Sequence, residues 1–271
     1  MATLLVTLLT YLALCPEEAK APPPPLRPAP AAASDTAAPK VSPAPLPWQL
    51  GAGHRYVWIR DGEKVGETQF RIEEAVENDQ PVYKVKAKRT YDHLGSSQRG
   101  EELTILSREG VPLRFDESLD VGMIGGLQAH QQTSVRMEEG KARVRFVSNG
   151  RDDKPALRES EIPPGTFLIG SQAVEHWAVF AARFPADVKT HKVNLFYPDF
   201  NKVFEMTFQL VGKEALDVKG QKMETSRYAF QSPEKDLRGD IWLDAKSRLI
   251  QIEFPPATDK QKPLRVLLVP D

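Results

Sequence analysis

The sequence predicts a mostly β protein, an antiparallel meander of long strands forming an open or half-closed barrel, with one covering helix near residues 171–184. Three observations carry this. Apolar residues recur with a period of two in nearly every segment that has a pattern. Turn-forming dipeptides separate those segments at short intervals. A single stretch shows helical spacing instead, and there is no alternation of strands with helices of the kind that builds a parallel sheet.

The first element is a leader, residues 1–21. From Leu4 to Leu14 it reads LLVTLLTYLAL, a run without a charge that fits the apolar centre of a secretory signal and is short of the ~20 residues of a bilayer span. No Lys or Arg precedes the run, so its positive end is the chain's own amine. Two readings stand side by side. Cleavage after Ala19-Lys20-Ala21, a small-x-small site, would release a soluble protein, although Pro22 follows directly. Alternatively Leu12-Ala13-Leu14-Cys15 resembles a bacterial lipobox in its first two positions and its cysteine, which makes Cys15 a candidate lipid anchor and membrane tether. Leu14 departs from that pattern, where a small residue is wanted. The plain alternative for Cys15 is a small hydrophobe within the apolar run. Both readings place the protein outside the cytoplasm, in the periplasm or cell envelope of a bacterium.

Residues 22–47 form the second element. They hold ten prolines and seven alanines with no apolar periodicity, too little to offset chain entropy by burial. The expected state is an extended tether, partly polyproline II. The folded domain is expected over residues 48–271. Without Glu17, Glu18 and Lys20 the chain keeps 35 basic and 35 acidic residues. That balance gives no reason to expect a nucleic-acid partner. The released chain would also have no cysteine, so disulfides and thiol nucleophiles are excluded and stability must come from a hydrophobic core.

Within the domain, Tyr83, Val85 and Ala87 alternate with Lys84, Lys86 and Lys88. Ala142, Val144 and Phe146 alternate with Arg143 and Arg145, and Phe204, Met206, Phe208 and Leu210 with Glu205, Thr207 and Gln209. Each reads as a strand with one dry and one wet face. Tight bends are expected at Asp61-Gly62, Asn78-Asp79, Glu109-Gly110, Glu139-Gly140, Asn149-Gly150 and Lys219-Gly220. The helix is expected to be capped by Ser171, to carry Val174, Trp177, Ala178, Ala181 and Ala182 on one apolar face, and to stop at Pro185.

The segment from Gly239 to Ile250, GDIWLDAKSRLI, reads as strand, turn, strand. Its Trp-Leu-Asp end, polar turn and Arg-Leu restart resemble a family of exported bacterial proteins of unknown function built from long antiparallel strands. Tyr56, Gly62 and Gly66, the stretches Val211-Gly212-Lys213-Glu214 and Val218-Lys219-Gly220, and Ile252-Glu253-Phe254-Pro255 fit the same pattern. The resemblance spans roughly residues 50–256. It implies an open or half-closed barrel, loosely similar to periplasmic lipoprotein carriers, and it brings no catalytic residue.

Chemical motifs are sparse. His54, His93, His130, His176 and His191 are far apart, without metal-ligand spacing, so neither a metal site nor a cofactor is expected. Gly170-Ser171-Gln172 lacks the flanks of a nucleophile elbow, and Ser171 and His176, five apart on one helix, do not face each other. The protein is therefore expected not to be an enzyme, with a hydrolase as the third reading. Gly122-Met123-Ile124-Gly125-Gly126 reads as a hairpin tip or as an apolar lid together with Leu127. The basic rows Lys84, Lys86 and Lys88, and Arg143 and Arg145, read as solvated faces or as an anion site. The leading functional expectation is binding of a lipid-like or other apolar ligand on a concave face lined by Tyr83, Val85, Phe204, Met206 and Phe208, which equally fit a filled core. The alternative is a structural or assembly module of the envelope that binds protein partners. A filled interior with exposed apolar tips would favour the second.

Overall fold

The computed structural model describes residues 46–93, 95–122, 126, 128–138, 140–148, 155–170, 172–184, 188–233, 235–256 and 262–270. The leader, Cys15 and nearly all of the Pro/Ala segment lie outside them. So do Asn149-Gly150, Ser171, Pro185 and most of the loop from Met123 to Leu127.

The strands are β1 (Gly53–Arg60), β2 (Glu63–Glu77), β3 (Gln80–His93), β4 (Ser96–Ser107), β5 (Pro112–Gly122), β6 (Gln128–Glu138), β7 (Lys141–Ser148), β8 (Ala156–Glu161) and the two-residue β9 (Phe167–Leu168). After helix α1 (Val174–Ala181) come β10 (Thr190–Tyr197), β11 (Lys202–Val218), β12 (Gln221–Ser232), β13 (Lys235–Leu243), β14 (Leu249–Phe254) and β15 (Leu264–Val269). All belong to one 15-stranded sheet in the order β8-β7-β6-β5-β4-β3-β2-β1-β15-β14-β13-β12-β11-β10-β9. Neighbours pair antiparallel except β9 with β10. The chain thus runs out from β1 to one edge, returns through α1, and builds back from the other edge until β15 pairs with β1.

Turn chemistry makes this meander. Asp61 and Gly62 both have positive φ, as do Asn78 with Asp79 and Lys219 with Gly220. Two such residues define the primed turns whose twist matches a hairpin. The β13–β14 hairpin closes differently. Asp244 accepts N–H bonds from Lys246 (2.8 Å) and Arg248 (2.9 Å) and meets the Arg248 Nε at 2.7 Å. This is why an Asp ends one strand and an Arg begins the next.

The sheet is not closed, yet its two edges approach each other. Phe115, Val135, Met137, Ala142 and Val144 of β5–β7 share an apolar cluster with Leu168 of β9 and Phe196 of β10. Ser160 of β8 donates to the carbonyl of Asn201 at 2.8 Å. Side chains span the seam between β8 and β9, which carries no backbone ladder. At the start of the fold Trp48 is buried, its ring set edge-on to Phe70 (5.4 Å) and Tyr56 (6.4 Å).

Helix α1 differs from its expected form. It spans eight residues, begins after Ala173 without a side-chain cap, and is buried on every side, including Glu175 and His176. The apolar stripe expected on one face is therefore only part of the contact. The helix sits within the curl of the sheet, where Trp177 meets Phe230 (5.1 Å) and Phe254 (6.1 Å), and Phe180 meets Phe167 and Phe208 (5.2 Å each). Because α1 fills space that the strands cannot, removing one of its rings leaves a void. Trp177→Ala should destabilise the fold by ~3–5 kcal/mol, read as a lower denaturant midpoint at unchanged slope.

Candidate functional site

Strand alternation carries polar residues inward on β3 to β6. On β3 the inward series is Val85, Ala87 and then Arg89, which is 4 % exposed. On β4 it includes Gln98, Gly100, Glu102 and Thr104, and on β5 Phe115, Glu117 and Leu119. The ladder register sets Ala87, Glu102, Glu117 and Thr133 in one row and Arg89, Gly100, Leu119 and Gln131 in the next. Gly100 stands opposite Arg89, and a Cβ there would lie 3.4 Å from its Nη2. The missing side chain gives the guanidinium its room.

Arg89 reaches both acidic neighbours. Its Nη1 lies 2.7 Å from Glu102 Oε1, and its Nη2 donates to Glu117 Oε1 at 2.6 Å. Helix α1 brings two more polar groups to the same place. The Gly170 N–H donates to His176 Nδ1 at 2.9 Å, so that nitrogen holds its lone pair and the proton sits on Nε2, which donates to Thr104 Oγ1 at 2.7 Å. Phe115 packs edge-on against the imidazole at 4.8 Å. Glu175 lies beside Glu102, and its Oε1 is 4.0 Å from His176 Nε2.

Burial and charge divide the titrations. Burial, reinforced by Arg89 and opposed by Glu102, pushes His176 down to about 4. Burial pushes Glu117 up to about 7; Glu102 and Asp199 add to this while Arg89 opposes it. Burial and then the neighbouring Glu102 carry Glu175 well above the usual carboxylate range. Glu102 is also buried, but Arg89, Glu175 and His176 overcome that and hold it below its ordinary value. Near neutrality the centre holds an Arg89–Glu102 ion pair and a neutral His176, with Glu175 biased towards its protonated form.

Glu102, Glu175 and His176 each bring one atom within 4.8 Å of the others, a spacing at which a metal centre has to be considered. The hydrogen bonds speak against it. Nδ1 of His176 is engaged by Gly170 and Nε2 carries the proton, so no ring lone pair faces the carboxylates. Arg89 meanwhile occupies the Glu102 oxygen a cation would need. The arrangement is a polar lock between helix and sheet, in which an uncharged imidazole and a carboxyl of α1 are set against an ion pair of β3 and β4.

The residues expected to line a concave binding face are elsewhere, in the apolar core. Val85, Phe204, Met206 and Phe208 are at most 2 % exposed and Tyr83 is partly buried, with the Arg108 guanidinium 4.8 Å over its ring. Phe208 touches Phe180, Phe184 and Phe230, whereas Phe204 packs with Tyr197 and Phe200. The basic rows are matched by acids: Lys86 with Glu73 and Lys88 with Glu101 (both 2.8 Å), and Arg143 with Glu159 (3.0 Å). His54, His93, His130 and His191 do not converge on His176; His130 pairs with Asp120 at 2.8 Å. Arg89, Glu102, Glu117 and Glu175 escape a motif search because they match no motif. Their signal is phase: each is a charged residue where the alternation or the apolar helix calls for a buried one.

No family model and no curated protein matches the sequence. Among solved structures, one likeness shows the fold. The chain is similar to a β-barrel-like protein of the domain of unknown function DUF1849 from Brucella abortus. The two are 13% identical, the TM-score is 0.51, and the match covers 80% of this chain and 95% of that one. A putative lipoprotein from Parabacteroides distasonis (9% identity, TM-score 0.29, 83% and 95% covered) and a putative exported protein with a YMCC-like fold from Bacteroides fragilis (9%, 0.28, 82% and 96%) are more distant. The long-stranded, half-closed fold expected from the hairpin motifs is the one found.

The lock has an acid limb with a definite sign. His176 is depressed in the folded state, so its contribution is present above its unfolded value of about 6.5 and is lost as pH falls towards about 4. Glu117 and Glu175 change in the opposite sense over the same range, so the His176 share is read by comparison: relative to wild type, His176→Asn, which keeps an acceptor for Gly170, should gain in denaturant midpoint as pH falls from about 6.5 to 4. Arg89→Met should cost ~3–5 kcal/mol, since it leaves buried carboxyls without their cation.

Proposed function

We propose that the protein is a non-catalytic module of a bacterial cell envelope, exported by its apolar leader, that binds a protein partner at the ends of its β2–β3 and β4–β5 hairpins. The observation that carries this reading is an open groove of mixed apolar and polar lining at those hairpin ends. Its volume is about 440 Å³; Leu113 is its exposed apolar residue, the buried Val82, Ile105 and Met137 lie behind, and Glu77, Asn78, Gln80, Arg114, Arg136 and Glu138 make the rest of its wall. Val76 (68 % exposed) and Val111 (43 %) extend apolar surface from the adjoining hairpin ends. Exposed apolar surface rimmed by charge is how protein interaction sites are commonly built.

The interior supports the same choice over a carrier of apolar ligands. Phe204, Met206 and Phe208, which would line a ligand cavity, pack in the core around α1 and the β10–β11 turn. A lipid-like ligand could enter there only if α1 moved out. A partner on the outer groove requires no such movement. The apolar leader supports export, and among the described residues no helix is long and apolar enough to cross a membrane.

The test uses the full chain produced in its own cells, with chemical crosslinking in intact envelopes. Wild type should give a discrete crosslinked partner, and Val111→Glu with Leu113→Glu should lose it while the isolated protein keeps its denaturation midpoint. An unchanged crosslink would remove the groove from consideration. A lipid retained at one per chain in native mass spectrometry would favour the carrier over the assembly role.

A further inference from the structure

We infer that helix α1 is latched into the barrel by one proton shared between Glu175 and Glu102, so that withdrawing this proton on the alkaline side loosens the helix from its seat. The argument begins with a charge count. Glu102 from β4, Glu117 from β5 and Glu175 from α1 gather around one guanidinium, that of Arg89 on β3. Asp199, in the β10–β11 turn, adds a fourth negative group near Glu117. His176 adds no positive charge, because the Gly170 N–H fixes its neutral tautomer. Thr104 accepts from that imidazole and Phe115 closes the remaining side.

Geometry then says which carboxyl keeps the proton. The side chains of Glu102 and Glu175 are 1 % exposed, and none of their four oxygens has a well-directed hydrogen bond from another protein group. Two ionised carboxylates in that position would repel each other with no water to screen them. A single proton turns the repulsion into a short O–H to O⁻ bond. Arg89, 2.7 Å from Glu102, holds Glu102 as the anion, so the proton stays on Glu175 and bonds α1 to β4. Glu117 is the separate case, because its side chain keeps 15 % exposure and has its own bond to Nη2.

The signs separate the groups by pH. Glu175 and Glu117 are both raised in the folded state, so each contributes stability below the ordinary carboxylate range and loses it as pH rises. The loss from Glu117 ends near its value of about 7. His176 has the opposite sign and is neutral in both states well above about 6.5. What remains on the alkaline side of Glu117 belongs to Glu175, and while its proton is being withdrawn the unfolding constant should rise by up to about tenfold per pH unit.

The experiment measures urea midpoints of the full chain on this alkaline side together with amide exchange in α1. Wild type should lose stability and helix protection as pH rises above 7.5. Glu175→Gln, whose amide donates to Glu102 at every pH, should stay flat, and Glu117→Gln should keep the wild-type slope. A flat wild type, a slope that survives Glu175→Gln, or a slope abolished by Glu117→Gln each overturns the latch. If Glu175→Gln does not fold, infrared spectra of Glu117→Gln, which lacks the other raised carboxyl, decide: a protonated-carboxyl band present at pH 7 and lost on the alkaline side is the expected result, and its absence at pH 7 overturns it.

Discussion

The guanidinium of Arg89 is the charge around which the inner face is organised. It reaches across one strand to Glu102 and two strands to Glu117, and Glu102 in turn touches the helix through Glu175. Apolar side chains at these positions would avoid the cost of desolvating charge, and buried ion pairs are often no more stable than such replacements. What the charges add is position. Alternation of dry and wet residues has a period of two, so a slip of two residues between β3 and β4 would keep every apolar residue inside. The same slip would set Arg89 opposite Gln98 or Glu102 and away from Gly100, the one inward residue of β4 that leaves room for it. Register and helix seating thus depend on one group.

That dependence follows from the size of the sheet. Fifteen strands with the usual twist cannot stay flat, and the curl they make is wider than their own side chains can fill. The chain meets this with a helix of eight residues carrying Trp177 and Phe180 on one side and Glu175 and His176 on another. The aromatic side completes the apolar core beneath β2, β11, β12 and β14, while the polar side is answered by the Arg89 cluster of β3–β5. A helix this short has little stability of its own and holds its shape because both sides are occupied.

Much of this was legible in the residues. The alternations of β3, β7 and β11, the paired turn residues and the Trp-Leu-Asp to Arg-Leu hairpin are local signals, and the structure places each where its local chemistry puts it. The helix was legible in type but not in role. Glu175 and His176 look like the polar side of a surface helix until β3–β5 are known to lie over them. The cluster itself joins β3, β4, β5 and α1, and its members are spread from Arg89 to His176 in sequence. Only the phase of Arg89 behind Val85 and Ala87, and of Glu102 beside Thr104 and Leu106, marked them as inward. The spread of Tyr83, Val85, Phe204, Met206 and Phe208 over two halves of the sheet has the same cause: period two tells which face a residue takes, and does not tell which residues meet.

The outer face obeys a different electrostatics. Lys86 with Glu73, Lys88 with Glu101, Lys192 with Glu205 and Arg265 with Glu253 lie in water across neighbouring strands, where pairing adds little stability. Their value is greatest where the sheet ends. On β8, the long open edge, Leu157 is 75 % exposed, yet Glu159 is engaged by both Lys141 and Arg143 and Glu161 lies 3.8 Å from Lys141. A strand from another copy approaching that edge would have to displace charged side chains along most of its length, and β8 offers it six residues. The other edge ends in a strand of two residues. The sheet therefore blunts both of its edges while leaving the groove at the β2–β3 and β4–β5 hairpins open, which makes side-chain contact, and not strand addition, the mode of association this surface favours.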